Sequence, residues 1–194
     1  IECWGADHQW QSTPPSGLSG VTQISAWRYN NCALKSDGTV VCWGYNNEWQ
    51  STPPSGLSGV TQISVGYYHT CALKSDTTVV CWWVYPMFPE NGNAIASEEI
   101  PRWLTGVMQI SWWWGHTCAL KSNAQVTCWG DNFYGQISVP EDVQVFPVIL
   151  NSVVFDDHRL TNGNNFTCAI TSTGWVECWG ANDEWQLDIP VGLD

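Results

Sequence analysis

Cys32-Ala-Leu-Lys-Ser-Asp-Gly-Thr-Val-Val-Cys42-Trp43-Gly44 decides the fold of this chain, because it recurs. The second copy is Cys71-Ala-Leu-Lys-Ser-Asp-Thr-Thr-Val-Val-Cys81-Trp82, and the third is Cys118-Ala-Leu-Lys-Ser-Asn-Ala-Gln-Val-Thr-Cys128-Trp129-Gly130. The fourth runs Cys168-Ala-Ile-Thr-Ser-Thr-Gly-Trp-Val-Glu-Cys178-Trp179-Gly180, and the chain opens on the tail of another, Cys3-Trp4-Gly5. Each copy holds two short apolar runs around a polar turn. Asp37-Gly38 between β-prone runs is a strong hairpin signal. A hairpin centred on residue 37 sets Cys32 opposite Cys42. The same construction sets Cys71 opposite Cys81, Cys118 opposite Cys128 and Cys168 opposite Cys178. Directly opposed residues of an antiparallel pair lie about 4.5–5.5 Å apart, a spacing that a disulfide accepts. The expectation is four cross-strand disulfides. The other readings are buried thiols or a zinc site, but zinc sites carry close Cys-x-x-Cys pairs and the chain has none. Cys3 is left without a hairpin partner.

Outward from the hairpin, the Cys-Trp pairs are spaced by 39, 39, 47 and 50 residues. A period near forty points to a propeller or a solenoid. Each unit begins with a strand such as Val21-Thr-Gln-Ile-Ser25, Val60-Thr-Gln-Ile-Ser64 or Val107-Met-Gln-Ile-Ser111. The hairpin follows, then a Pro/Gly-rich connection such as Tyr45 to Leu57. No stretch has helical periodicity. Three or four short strands per unit suit a propeller blade better than a β-helix. The reading is therefore an all-β propeller, with a partial unit over about 1–20 and units over about 21–59, 60–106, 107–152 and 153–194 in one repeat domain.

The pattern Ile63-Ser-x-Gly66-x-x-His69-Thr-Cys71-Ala-Leu-Lys74, with Asp37-Gly-Thr-Val-x-Cys42-Trp-Gly-x-Asn46-x-x-x-Gln50, resembles the regulator-of-chromosome-condensation repeat family. The resemblance covers nearly the whole chain. It implies a closed propeller, commonly of seven blades, and the cysteine variant resembles a secreted bacterial branch. Four units and a remnant are fewer than such a ring needs. Three readings stay open: part of a longer chain, blades completed by neighbouring copies, or a small ring. Nucleotide exchange on a small GTPase, one role in that family, fits poorly with an extracellular chain.

Composition narrows the function. The 194 residues carry 6 basic and 18 acidic side chains, a net charge of −12. That argues against nucleic acid, whose phosphates need clustered Lys and Arg. No apolar run is long enough for a transmembrane helix. Nine cysteines in matched spacing imply an oxidising compartment, so the expected location is secreted or cell-surface. Insertions at about 84–101 and 139–157 place Phe88 and Phe146 among candidate partner contacts, with the apolar run Val145 to Leu150. His69 and His116 precede Thr-Cys at one repeat position, which favours a structural hydrogen bond. Asn165-Phe-Thr167 is a glycosylation sequon. No catalytic constellation, cofactor site or metal-ligand pattern stands out.

Fifteen tryptophans need their own account. Trp4, Trp43, Trp82, Trp129 and Trp179 follow a cysteine and read as core. Trp10, Trp49 and Trp185 stand where another unit has Gly135; Trp27 and Trp113 stand where others have Gly66 and Gly163; Trp83 replaces the glycine of Cys-Trp-Gly. Two explanations compete. The loops have changed conformation to present indoles, making Trp10, Trp49 and Trp185 candidate ligand contacts. Alternatively, a codon written as tryptophan is read as glycine by the organism. The functional expectation is a non-catalytic extracellular interaction module, binding protein and capable of self-assembly. The alternative is a lectin-like propeller binding glycans through exposed tryptophans.

Overall fold

The computed structural model describes residues 1–47, 49–66, 69–82, 100–101, 103–113, 115–141, 143, 145, 159–163, 165–172, 174–183 and 187–188. The described residues contain twelve strands and no helix. The strands form four three-stranded antiparallel sheets, each an up-and-down meander. The first comprises β1 (Val21–Trp27), β2 (Asn30–Lys35) and β3 (Val40–Gly44). The second comprises β4 (Val60–Val65), β5 (Thr70–Lys74) and β6 (Val79–Trp82). The third comprises β7 (Val107–Trp113), β8 (His116–Lys121) and β9 (Val126–Gly130). The fourth comprises β10 (Leu160–Asn162), β11 (Phe166–Ile170) and β12 (Val176–Gly180). Two compact units divide the chain, residues 1–100 and 101–194, with two sheets in each.

Hairpin register follows the cysteines. Cys32 pairs Cys42, Cys71 pairs Cys81, Cys118 pairs Cys128 and Cys168 pairs Cys178 across their strands. A disulfide closes each pair, at Cα–Cα separations of 4.0–4.1 Å. The turns between them need a left-handed residue, supplied by Gly38 (φ +76°), Thr77 (+65°), Ala124 (+70°) and Gly174 (+90°). In the first turn the Asp37 carboxylate accepts from the Thr39 amide and hydroxyl and pairs with Lys35. The Thr39 hydroxyl first, then Lys35, hold its pKa well below the usual carboxylate range.

Burial separates the strands by role. β1 alternates between half-buried and exposed side chains, as one face of a sheet requires. The middle strands β5 and β8 are buried on both faces. Alanines at their centres, Ala72 and Ala119, are fully buried, where a larger side chain would push the layers apart. Within residues 1–100, Leu34, Val60, Ile63, Val65 and Trp82 form the core. Within residues 101–194, Leu120, Val143, Val145, Leu160 and Trp179 do so.

The repeated Val-Thr-Gln-Ile-Ser strand also joins sheet to sheet. Gln23 donates from Nε2 to the Ile63 carbonyl at 3.0 Å, and its Oε1 accepts the Ile63 amide at 2.9 Å. Ser25 Oγ accepts the Val65 amide. In the second unit Gln109 bridges the Leu160 carbonyl and the Arg159 amide, and Ser111 Oγ accepts the Asn162 amide. The first strands of adjacent sheets therefore meet through side chains instead of a continuous ladder. That keeps each sheet separate while satisfying backbone groups that would otherwise be buried unpaired.

Candidate interaction surface

The connections after the hairpins form one repeated turn. Asp7, Asn46, Asn132 and Asn182 each accept a backbone amide five residues on, those of Ser12, Ser51, Ile137 and Leu187. The turn ends by docking onto the next sheet. The Gln11 carbonyl accepts the Trp43 indole N–H at 3.1 Å, Gln50 that of Trp82 at 3.1 Å, and Gln136 that of Trp179 at 3.0 Å. In these three hairpins the tryptophan after the second cysteine has a buried ring and an N–H whose acceptor is fixed by the preceding connection. Trp129 is equally buried, with no partner for its Nε1–H among the described residues.

Trp10 and Trp49 sit at the tip of that turn, and their side chains are 72% and 67% exposed. Their backbones are left-handed, φ +62° and +64°, like Gly135 at +80° in the third connection. The same hydrogen bond closes all three turns, from residue 10 to Asp7, 49 to Asn46 and 135 to Asn132. The connections have therefore not changed conformation to present indoles, contrary to the first of the two sequence-based explanations. They keep the glycine backbone and carry tryptophan on it. A left-handed L-residue costs roughly 1–2 kcal/mol, and an exposed ring recovers little of that by packing.

Cys3 is the one free cysteine among the described residues, and it is half-buried. Trp4 beside it is 87% exposed, while its counterparts Trp43, Trp82, Trp129 and Trp179 are 5–7% exposed. Gly5 nevertheless has φ +115°, close to Gly44 at +101° and Gly180 at +117°. Cys3-Trp4-Gly5 thus keeps the backbone turn of a returning hairpin strand with no strand beside it among the described residues.

The two repeated histidines are interior groups. His116 is fully buried, and its Nε2 lies 2.9 Å from Thr167 Oγ1. Thr167 donates its own proton to the Gln136 carbonyl at 3.1 Å, so its oxygen accepts from His116 Nε2–H. Burial pushes the His116 pKa down to about 4, against a weaker opposing effect of Asp131. Burial alone pushes His69 down to about 3. Both are neutral and structural. Thr167 of the sequon is fully buried in the same network, and Asn165 is half-buried with its carbonyl accepting the Ala181 amide.

Other candidate residues divide. Val145 is completely buried and donates its amide to the Ala124 carbonyl, so it belongs to the core and not to a contact surface. Its burial comes from packing with Val143 and Leu160, which local hydrophobicity does not reveal. Phe88, Phe146 and Trp185 lie outside the described residues. Sequence reasoning missed the Gln23/Ser25 and Gln109/Ser111 clasps. Their signal was present, since the polar pair recurs in a strand whose neighbours are apolar. No cluster of metal-ligating side chains occurs among the described residues, and no described helix could cross a membrane.

Comparisons with known proteins agree with this architecture. The family model described as "Regulator of chromosome condensation (RCC1) repeat" matches residues 21–50, 60–82 and 114–136. No curated protein sequence matches the chain at a significant level. Among solved structures, the chain is similar to yeast RCC1 (Prp20), solved with Kap60, at 18% identity and TM-score 0.63, over 93% of this chain and 48% of that one. It is similar to the ectodomain of the Physcomitrella patens receptor kinase CR4 at 22% identity and TM-score 0.65, over 96% and 48%. It is also similar to the CRINKLY ectodomain of the Arabidopsis thaliana receptor kinase ACR4, at 25% identity and TM-score 0.53, over 82% and 49%. The chain spans about half the length of these solved chains. With the repeated register, the disulfide-closed hairpins and these matches together, residues 21–50, 60–82 and 114–136 match RCC1 repeats, and the four three-stranded sheets have the fold of the blades in those similar β-propellers.

Proposed function

We propose that this chain acts as a non-catalytic protein-interaction module in an oxidising, extracellular or cell-surface setting, and that it pairs with a further β-strand at Cys3-Trp4-Gly5. The observation that carries the reading is Trp4. Its indole is exposed where four equivalent indoles are core, and it stands beside the free thiol of Cys3. An apolar ring next to a free thiol on a strand-like edge fits strand addition, in which backbone pairing supplies affinity and the side chains supply register. The four disulfides favour an oxidising compartment. Two of the similar structures are, by name, receptor-kinase ectodomains, and the strand partner here is read as protein, copies of this chain included. The net charge of −12 disfavours polyanionic partners.

The test is light scattering coupled to size exclusion, with and without reductant, on the native sequence and on Cys3→Ser. The expected result is a disulfide-linked oligomer that reductant or Cys3→Ser releases. A monomer at every concentration, with Cys3 a free thiol, would reject self-pairing. The second reading is glycan binding through Trp10, Trp49 and Trp185. It rests on the exposed indoles of Trp10 and Trp49 and stands only if those residues are made as tryptophan.

A further inference from the structure

We infer that the tryptophans at repeat-aligned glycine positions are made as glycine, one codon being read as glycine by the tRNA of the source organism. The structure adds a seventh such position to the six visible in the repeats. Trp103 lies in the turn Pro101-Arg-Trp-Leu104, closed by the Leu104 amide on the Pro101 carbonyl. The same bond closes Pro15 to Leu18 and Pro54 to Leu57, where the equivalent residues are Gly17 (φ +78°) and Gly56 (φ +79°). The strand-end equivalence holds in three dimensions too. Trp27 pairs Asn30 and Trp113 pairs His116, while Gly66 and Gly163 donate their amides to His69 and Phe166 at the same corner.

Three observations carry the inference. The first is backbone conformation, since Trp10 and Trp49 keep the left-handed φ of Gly135. The second is space. A Cβ on Gly44 would fall within the radius of the Tyr29 carbonyl oxygen, and on Gly180 within that of Asn165. Trp83 holds that same place in the repeat sequence. At Gly44 and Gly180 a side chain would force the neighbouring backbone to shift, while Trp83 itself lies outside the described residues.

The third is the identity of the replacement. At the hairpin turn, where glycine is also the left-handed residue, the two departures are Thr77 and Ala124. Drift at a glycine site gives varied, small residues. At four other glycine sites of the repeat, typified by Gly135, Gly66, Gly44 and Gly56, tryptophan is the recurrent replacement: Trp10, Trp49 and Trp185; Trp27 and Trp113; Trp83; and Trp103, with Asp142 after Pro140 the exception at the last site. One large residue recurring at structurally unrelated glycine sites has no common packing cause. A single codon with two readings explains all of them, and UGA is such a codon, since some genetic codes read it as tryptophan and others as glycine. The core residues Trp43, Trp82, Trp129 and Trp179 fill the interior and remain tryptophan. The chain then presents bare-backbone turns where the written sequence shows indoles.

The coding sequence gives the first check. The inference expects UGA at all seven positions and UGG at the core Cys-Trp pairs, and UGG at Trp10, Trp49 or Trp83 would overturn it. Tandem mass spectrometry of the native protein decides directly. Peptides spanning Trp10, Trp49 and Trp103 are expected to be lighter by one tryptophan-to-glycine difference per position, with Trp43 unchanged. Tryptophan at these positions in the native protein overturns the inference and restores the glycan reading. In recombinant protein, W10G/W49G/W83G is expected to unfold at a higher urea concentration than the sequence as written. An equal or lower midpoint counts against it.

Discussion

His116 shows how a single residue becomes structural by losing its charge. Its Nε2–H is committed to Thr167, and its Nδ1 is buried with no hydrogen-bond partner among the described residues. A second proton on the ring would have no acceptor. Burial lowers the folded pKa to about 4, below the 6.5 of an unperturbed imidazole. The unfolded chain therefore takes up the proton first as pH falls. Stability is intact above pH 6.5 and declines from there towards pH 4, by on the order of 2–3 kcal/mol per histidine so shifted. A denaturation midpoint measured from pH 7.5 to 4 should fall in this window, and fall less in His116→Gln. Thr167→Val removes the acceptor of the His116 proton and the donor to Gln136. His116 Nε2–H is then orphaned, while the Gln136 carbonyl keeps the Trp179 indole, so stability should fall by about 1–3 kcal/mol, measured by urea denaturation at pH 7.5. None of this was legible locally. The repetition of His69 and His116 before Thr-Cys marked them as structural, but Thr167 lies 51 residues from His116.

At the scale of elements, hairpins and clasps differ in how far their contacts reach. A hairpin is local. Its turn residues, its two-residue side-chain period and its cysteines ten residues apart together leave one register, which is why the sequence suffices to pair the cysteines. Each such closure should contribute about 2–3 kcal/mol by restricting the unfolded chain. Cys32→Ala/Cys42→Ala should lower the denaturation midpoint accordingly while leaving the strand content seen by circular dichroism intact. The clasp is long-range. Gln23 satisfies both backbone groups of Ile63, forty residues away. Gln23→Ala exposes no new surface in its own sheet but orphans both groups, so a loss of about 1–3 kcal/mol per unpaired group is expected. Hydrogen exchange at the Ile63 amide should accelerate more than that at the Ala33 amide within the same protein.

For the whole molecule, four disulfides at about 2–3 kcal/mol each compare with a net stability of 5–15 kcal/mol for an ordinary domain. Full reduction is expected to unfold the chain at 37 °C, read as loss of the β signal in circular dichroism. A reduced chain that keeps its thermal midpoint would show that packing alone holds the sheets. The four disulfides fit an oxidising compartment, and the exposed indoles of Trp10, Trp49 and Trp103 lie on surface turns. Trp10, Trp49 and Trp103 decide how those turns look, as indole platforms or as bare glycine backbone.

The repeat by itself determined the strands, the hairpin register, the disulfide pairs and the blade class, because each depends on contacts within about fifteen residues or on the period between copies. It also exposed the tryptophan-for-glycine pattern, which needs only alignment of the copies. Tertiary structure decided what lies between sheets: the Gln–Ser clasps, the carbonyls of Gln11, Gln50 and Gln136 that receive the indoles, the burial of Val145, and the neutral state of His116. It alone showed that the connections keep a left-handed turn under Trp10 and Trp49. The physical reason is reach. Backbone pairing and turns are local, whereas desolvation, close approach and the partner of a buried polar atom are set by chain segments forty or more residues away.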